Sequence, residues 1–192
     1  QPMDDGTGAD AEFGQLKEMD DFIFININAE GVAGSNADSF VGPSNYDRLC
    51  AMAEDAAKAA DYNGYIGIAA HKLTDLNAQI GLQAFHDTFE KYPDIKISFE
   101  IADIGELSEA NIQLEAALAS HPETQCVVVT GAELSEALGP VIQDFYETSG
   151  TLINGYAVDD SEIVLDQLRK GWLAATYTAN PYCTGYVAGY IM

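Results

Sequence analysis

The chain has 192 residues, 47% of them apolar, and sets 31 acidic side chains against 8 basic ones for a net charge of −23. That length and apolar share are enough for one well-filled core. So negative a chain repels a phosphate backbone or an anionic bilayer, which removes nucleic acid and membrane surfaces from the expected partners. Cys50, Cys126 and Cys183 form no CxxC pair, no zinc spacing and no even-numbered disulfide framework. The sequence therefore points away from metal and redox chemistry, and no cofactor is expected.

Gln1 to Asp21 is rich in Asp, Glu, Gly and Gln and reads as an acidic flexible arm, followed by a single lobe over residues 22–192. The start at Gln1, with no initiator Met, suggests a processed or excised piece. Phe22 to Asn28, FIFININ, predicts the first strand, and Ala29 to Ser44 a Gly/Ser/Asn loop with an apolar insert at Phe40 and Val41. Asn45 to Ala60 reads as a helix that turns Leu49, Met52, Ala53, Ala56, Ala57 and Ala60 to the core.

The central stretch, Asn63 to Lys96, predicts a buried strand from Tyr65 to Ala70, a polar turn from His71 to Asp75, and a helix stopped at Pro93. Thr74 is placed to cap that helix, and Leu76, Ile80, Ala84, Phe85 and Phe89 recur at the spacing of one apolar stripe. The later elements are a strand at Ile97 to Ala102, a helix at Ser108 to Ser120 and a strand at Gln125 to Thr130. Then come a helix at Leu134 to Thr148, a strand at Leu152 to Val158, a helix at Ser161 to Lys170, a strand at Leu173 to Thr178 and a helical start near Tyr182.

Strand and helix alternate strictly from Tyr65 onward, and the strands are apolar without a period of two. This pattern predicts an α/β fold, a doubly wound and mainly parallel sheet with helices on both faces. In such sheets ligands lie beyond the carboxyl ends of the strands, which makes the turn from His71 to Asp75 the first place to look for function.

The chemical motifs are mostly negative. No GxGxxG, Walker loop or GxSxG elbow follows a strand, so dinucleotides, nucleoside triphosphates and α/β-hydrolase chemistry lose their fingerprints. His86 and His121 read as solvated surface residues, whereas His71 sits in the post-strand turn. Asp159 and Asp160 also follow a strand, either as the acidic cap of the next helix or as a phospho-acceptor or magnesium site. Tyr156, Tyr177, Tyr182, Tyr186 and Tyr190 crowd the C-terminal part and read as core or interface packing.

Several segments carry a resemblance. KYPDIKISFEIAD, ASHPETQCVVVTGAE, INGYAVDD and LRKGWLAATYTANPYCTGYVAGYI, in this order and spacing, resemble the periplasmic binding protein family of the ribose and galactose type. That family also includes the effector domains of lac-repressor-like regulators. FVGPSNYDRLCAMAEDAA resembles the segment that leads from the family's first lobe into its second. The resemblance implies a two-lobed binding protein of which this chain holds essentially the second lobe. It places the family's ligand positions near Asn28 and Ala29, near Ile80 or Gly81, near Thr130 or Gly131, on Ala157, and on Ala179 or Asn180. Several of these lack a polar side chain, which turns the expectation toward a ligand other than a simple monosaccharide.

With the strand-end rule, the residues expected to line the crevice are Asn28, His71, Lys72, Thr130, Glu133, Asp159 and Asn180. The implied function is not enzymatic. It is that of an extracytoplasmic solute-binding protein, periplasmic or a cell-surface lipoprotein, which delivers a small-molecule ligand of carbohydrate type to the membrane permease of an ABC importer. The alternative is the ligand-sensing lobe of a lac-repressor-like regulator or membrane receptor. A third reading, from a different class, is an enzyme on a flavodoxin-like sheet with Asp159 or Asp160 on a metal. An uncovered lobe face and open sheet edges would favour a homodimer.

Overall fold

Strand β5, Cys126–Val129, is fully buried on both faces, and the rest of the main body is laid around it. The computed structural model describes residues 6–20, 22–27 and 35–191. β5 lies between β3, Gly64–His71, and β6, Asn154–Val158. Outside these lie β4, Ile95–Ile104, and β7, Ala175–Tyr177. All five strands are parallel, in the order β4-β3-β5-β6-β7.

Parallel neighbours need crossovers, and the helices supply them on both faces. One face is covered by α2, Asn45–Ala59, and α3, Leu76–Phe89. The other is covered by α4, Leu107–Ser120, α5, Ala132–Ser149, and α6, Glu162–Lys170. Alternate residues of one strand therefore enter two cores. Ile66, Ile68, Val128 and Tyr156 pack with Leu49, Met52 and Phe85 of α2 and α3. Ala69, Val127, Val129 and Ala157 pack with Leu114, Leu138 and Ile142 of α4 and α5. This double coverage is why the strands are apolar throughout. Gly155 is required where α5 crosses β6, since a Cβ there would come 2.6 Å from Ile142 Cδ1.

The expected α/β architecture is the one observed, and the six expected core residues of α2 are all buried. Three details differ. Asp75, not Thr74, caps α3, its carboxylate accepting from Asn77 N–H at 2.9 Å. The buried face of α3 is Ala78, Gly81, Ala84, Phe85, Thr88 and Phe89, so Leu76 and Ile80 sit at its half-buried margin. Glycine and threonine fill that face because α3 packs closely on α2, where a Cβ at Gly81 would meet Leu49 Cδ1 at 2.9 Å. The third concerns the cap of α6, which is Ser161, whose hydroxyl accepts from Val164 N–H. Neither Asp159 nor Asp160 serves there.

Near the N-terminus, the stretch expected as an acidic arm forms α1, Gly6–Met19. Long-range contacts tie it down. Asp10 accepts from Ser35 Oγ at 2.7 Å and from Asn36 N–H at 2.6 Å, Lys17 pairs with Asp38 at 2.7 Å, and Phe13 stacks on Phe24 at 4.7 Å. The expected first strand is the shorter β1, Ile25–Ile27. It pairs with β2, Ser39–Val41, which arises from the apolar insert that the sequence placed in a loop. These two form a sheet separate from the main one. The last helix, α7, Pro181–Ile191, packs against β1 and β2. It buries Thr184 and Ala188, while Tyr182, Tyr186 and Tyr190 are exposed. Those three tyrosines are thus not core residues. Among the described residues no helix is long and apolar enough to cross a membrane.

With few cations available, phenols take over as partners for carboxylates. Tyr46 donates to Asp87 at 2.6 Å, Tyr92 to Glu54 at 2.6 Å, and Tyr177 to Asp55. The bond to Glu54 pushes the Tyr92 phenol up to about 12, and burial followed by the bond to Asp55 pushes Tyr177 up as well. A phenol that holds its proton more tightly when folded stabilises the fold fully below its unfolded value near 10. That contribution is lost as pH rises through the folded value. Urea midpoints are thus expected to fall between about pH 10 and about pH 12, and the fall should be shallower in Tyr92→Phe/Tyr177→Phe.

Candidate functional site

In a sheet of this order the chain winds away in opposite directions from β3 and β5, which opens a crevice at their carboxyl ends. A cavity of about 260 Å³ lies there. His71 from the end of β3, Thr130 and Gly131 after β5, and Val158 and Asp159 at the end of β6 form its floor. The first turns of three helices supply the walls: Asn45 and Arg48 from α2, Asp75 and Asn77 at α3, Ala132 and Glu133 at α5. Ala179, ahead of α7, completes the lining.

The strand ends are locked to one another. His71 N–H donates to Thr130 Oγ1 at 3.0 Å across the crevice. The fully buried Ser135 donates its hydroxyl to Gly131 O at 2.8 Å and accepts from Val158 N–H at 3.0 Å. One hydroxyl thereby fixes the start of α5 against the end of β6. Gly131 permits this closeness, since a Cβ there would stand 2.9 Å from His71 Cβ.

The polar groups form two linked sets. Arg48 donates from Nη1 to Tyr177 O and from Nη2 to Asn45 Oδ1 at 2.9 Å, while Asn45 Nδ2 donates to Asn77 Oδ1 at 2.8 Å. Arg48 Nε is buried, with no hydrogen-bond partner among the described residues. Burial lowers the Arg48 guanidinium and the nearby Asp159 opposes this, while burial pushes the Asp159 carboxyl up against the pull of Arg48. Asp160 and Glu133 push Asp159 further in the same direction. Asp159 has a left-handed backbone, φ 67°, and its carbonyl accepts from Thr176 Oγ1. In the second set, His71 Nε2 lies 3.4 Å from Glu133 Oε2. His71 Nδ1 lies 3.9 Å from Asp75 Oδ2, too far for a hydrogen bond, and has no other partner among the described residues.

Of the residues expected from the sequence, His71, Thr130, Glu133 and Asp159 meet in this cavity. Asn28 lies outside the described residues. Lys72 runs instead along the far side of the β3 end, where a Cβ on Gly105 would come 2.2 Å from its Cε. Asn180 caps α7, its side-chain oxygen accepting from Cys183 N–H at 3.2 Å, and its neighbour Ala179 takes the place at the cavity. Asn45, Arg48 and Asn77 were missed, and Asp75 was named only as the end of the polar turn after β3. Their signal was their place in the first turn of helices that leave or face the strand ends, since helix N-termini in this fold point at the same crevice as the strand C-termini.

A groove of about 470 Å³ between α4 and α5 is larger, with Leu118, Val141 and Phe145 on its floor. Its Thr148 and Ser149 hydroxyls turn back onto the carbonyls of Asp144 and Phe145, which leaves them uncommitted to any solute.

A family model described as a periplasmic binding protein domain matches residues 16–192. Among solved structures, an ABC transporter solute-binding protein from Burkholderia graminis C4D1M in complex with D-arabinose superposes with a TM-score of 0.85 at 19% identity. The match covers 96% of this chain and 63% of that one. GanP, a glucose-galactose binding protein from Geobacillus stearothermophilus, gives 0.82 at 22% identity over 95% and 65% of the two chains. An ABC transporter solute binding protein from Bacillus halodurans C-125 with bound myo-inositol gives 0.79 at 18% over 90% and 59%. At these identities the likeness is one of fold, and the chain spans less than two thirds of the length of each of these structures.

Because the Val158 N–H donates to the buried Ser135 hydroxyl, Ser135→Ala leaves that N–H buried without an acceptor. The expected cost is about 1–3 kcal/mol, read as a lower urea midpoint at unchanged slope.

Proposed function

This chain belongs to the periplasmic binding protein domain family, and on that footing we propose that it is the ligand-holding lobe of a solute-binding protein that serves a sugar-type ABC importer. The observation that carries this reading is the polar cavity at the switch point between β3 and β5, where amides, carboxylates, a hydroxyl and an arginine face one space. Such a mixture of fixed donors and acceptors suits a small solute with several hydroxyls, because each buried hydroxyl needs a partner. The likeness to proteins whose names give D-arabinose and myo-inositol as bound molecules supports a carbohydrate or cyclic polyol as the solute class.

In this proposal the protein works outside the cytoplasm and carries no chemical step. A second lobe closes over the cavity by a hinge motion, buries the solute and presents the closed form to the membrane permease. The locked strand ends suit that task. His71, Thr130, Gly131 and Asp159 are held by backbone and buried hydroxyl bonds, so the lobe offers a preformed surface and the motion is left to the hinge.

A thermal-shift and calorimetric screen of the full-length gene product against D-arabinose, D-galactose, D-glucose and myo-inositol tests the reading. A true ligand at about a hundred times its Kd adds about 2.7 kcal/mol of stability, a rise in Tm of about 5–10 °C. Silence across such a panel, extended to other small polyols, amino acids and nucleosides, overturns it.

A further inference from the structure

Resting on the reading that the switch-point cavity holds a small solute, we propose that this solute is a sugar or polyol carrying a protonated amine, with the Asp159 carboxylate as the seat of the ammonium. Three carboxylates line the cavity, those of Asp75, Glu133 and Asp159, and among the described residues Arg48 is the single Lys or Arg beside them. Arg48 offsets them only in part: it attracts Asp159, but both terminal nitrogens donate elsewhere, to Tyr177 O and Asn45 Oδ1, and three carboxylates share the one guanidinium. Asp75 spends one oxygen on the cap of α3, and Glu133 stands next to His71.

Asp159 is different. Among the described residues no hydrogen bond reaches its carboxylate, although the residue is half-buried at the cavity. A charged carboxylate in that position has Arg48 nearby but no hydrogen-bonded counter-ion among the described residues, and a ligand ammonium supplies one together with charge-assisted hydrogen bonds. A neutral hydroxyl donates a hydrogen bond but leaves the charge uncompensated.

A bare metal ion is the other way to satisfy such a site, and the spacing speaks against it. Among the described residues no three His, Cys, Asp or Glu side chains stand close enough together to hold one. The carboxylates are instead interleaved with Asn45, Asn77 and Thr130, which matches a solute with one amine among several hydroxyls. The charge of −23 adds a long-range attraction for cations that raises the rate of capture.

The test compares D-glucosamine and D-galactosamine with D-glucose and D-galactose by calorimetry on the full-length gene product, at a pH where the amines are protonated. The aminated sugars are expected to bind about tenfold or more tightly than their neutral counterparts. Added salt should narrow the gap. In Asp159→Asn the preference itself, the ratio of the two affinities, should collapse. Asparagine tolerates the left-handed backbone of this position, and circular dichroism with thermal melting checks that the variant is folded. The salt titration of the unaltered protein gives a second readout that needs no variant. Neutral sugars binding as tightly as the amines, or a preference that survives both salt and Asp159→Asn, overturns the inference and leaves solute binding intact. Absence of binding by either class overturns this inference, whereas the solute-binding reading falls only with silence across the wider panel of polyols, amino acids and nucleosides.

Discussion

The structure depends on one requirement: a central parallel strand has no face to give to water. β5 is buried on both sides, so helices must cover the sheet above and below. Parallel order then forces every connection to cross over through one of those helices. All five strands consequently end on the same edge, and the helices that follow begin there. The crevice between β3 and β5 is thus a product of connectivity. The residues that line it are those that happen to stand at strand ends and in the first turns of helices.

Charge is the second theme, and it acts at two scales. Over the whole chain, 31 acidic groups meet 8 basic ones, too few for ion pairs to organise the surface. Phenols take that place at Asp87, Glu54 and Asp55. Such bonds tie α2 to α3, to the segment after α3 and to β7 without a cation. Within the cavity the same shortage has a sharper effect, since Arg48 is drawn to a carbonyl and an amide and the carboxylates face the open space. The acidity that looks like a solubility device in the composition becomes, at the strand ends, a statement about what can be bound.

The small unit of α1, β1, β2 and α7 follows a different logic. α7 is apolar around much of its circumference, yet Tyr182, Tyr186, Val187, Tyr190 and Ile191 are exposed, whereas a helix with that composition is ordinarily buried. The chain covers nearly all of its own length in the superpositions but less than two thirds of its neighbours. The described lobe and this apolar unit thus occupy only part of the architecture they resemble.

What the sequence by itself determined was the class of fold and the edge of the sheet that matters. Unbroken apolar strands alternating with helices admit little other than a doubly wound sheet, and the polar residues that follow each strand mark where its chain leaves the core. His71, Thr130, Glu133 and Asp159 were legible for that reason. Lys72 and Asn180 obeyed the same rule but point elsewhere: the Lys72 chain lies along the flank of the β3 end against Gly105, and Asn180, well past the end of β7, caps α7. Arg48 and Asn45 were hidden for the opposite reason. They lie on a helix whose amphipathic pattern marks them as off the core stripe, and only the crossing of α2 over β5, β6 and β7 brings that off-stripe turn against the cavity. Whether a polar side chain meets solvent or a binding space depends on how helices lie across the sheet. That is set by the packing of side chains distant in the chain, such as Leu49 against the α3 glycine, and no local pattern records it.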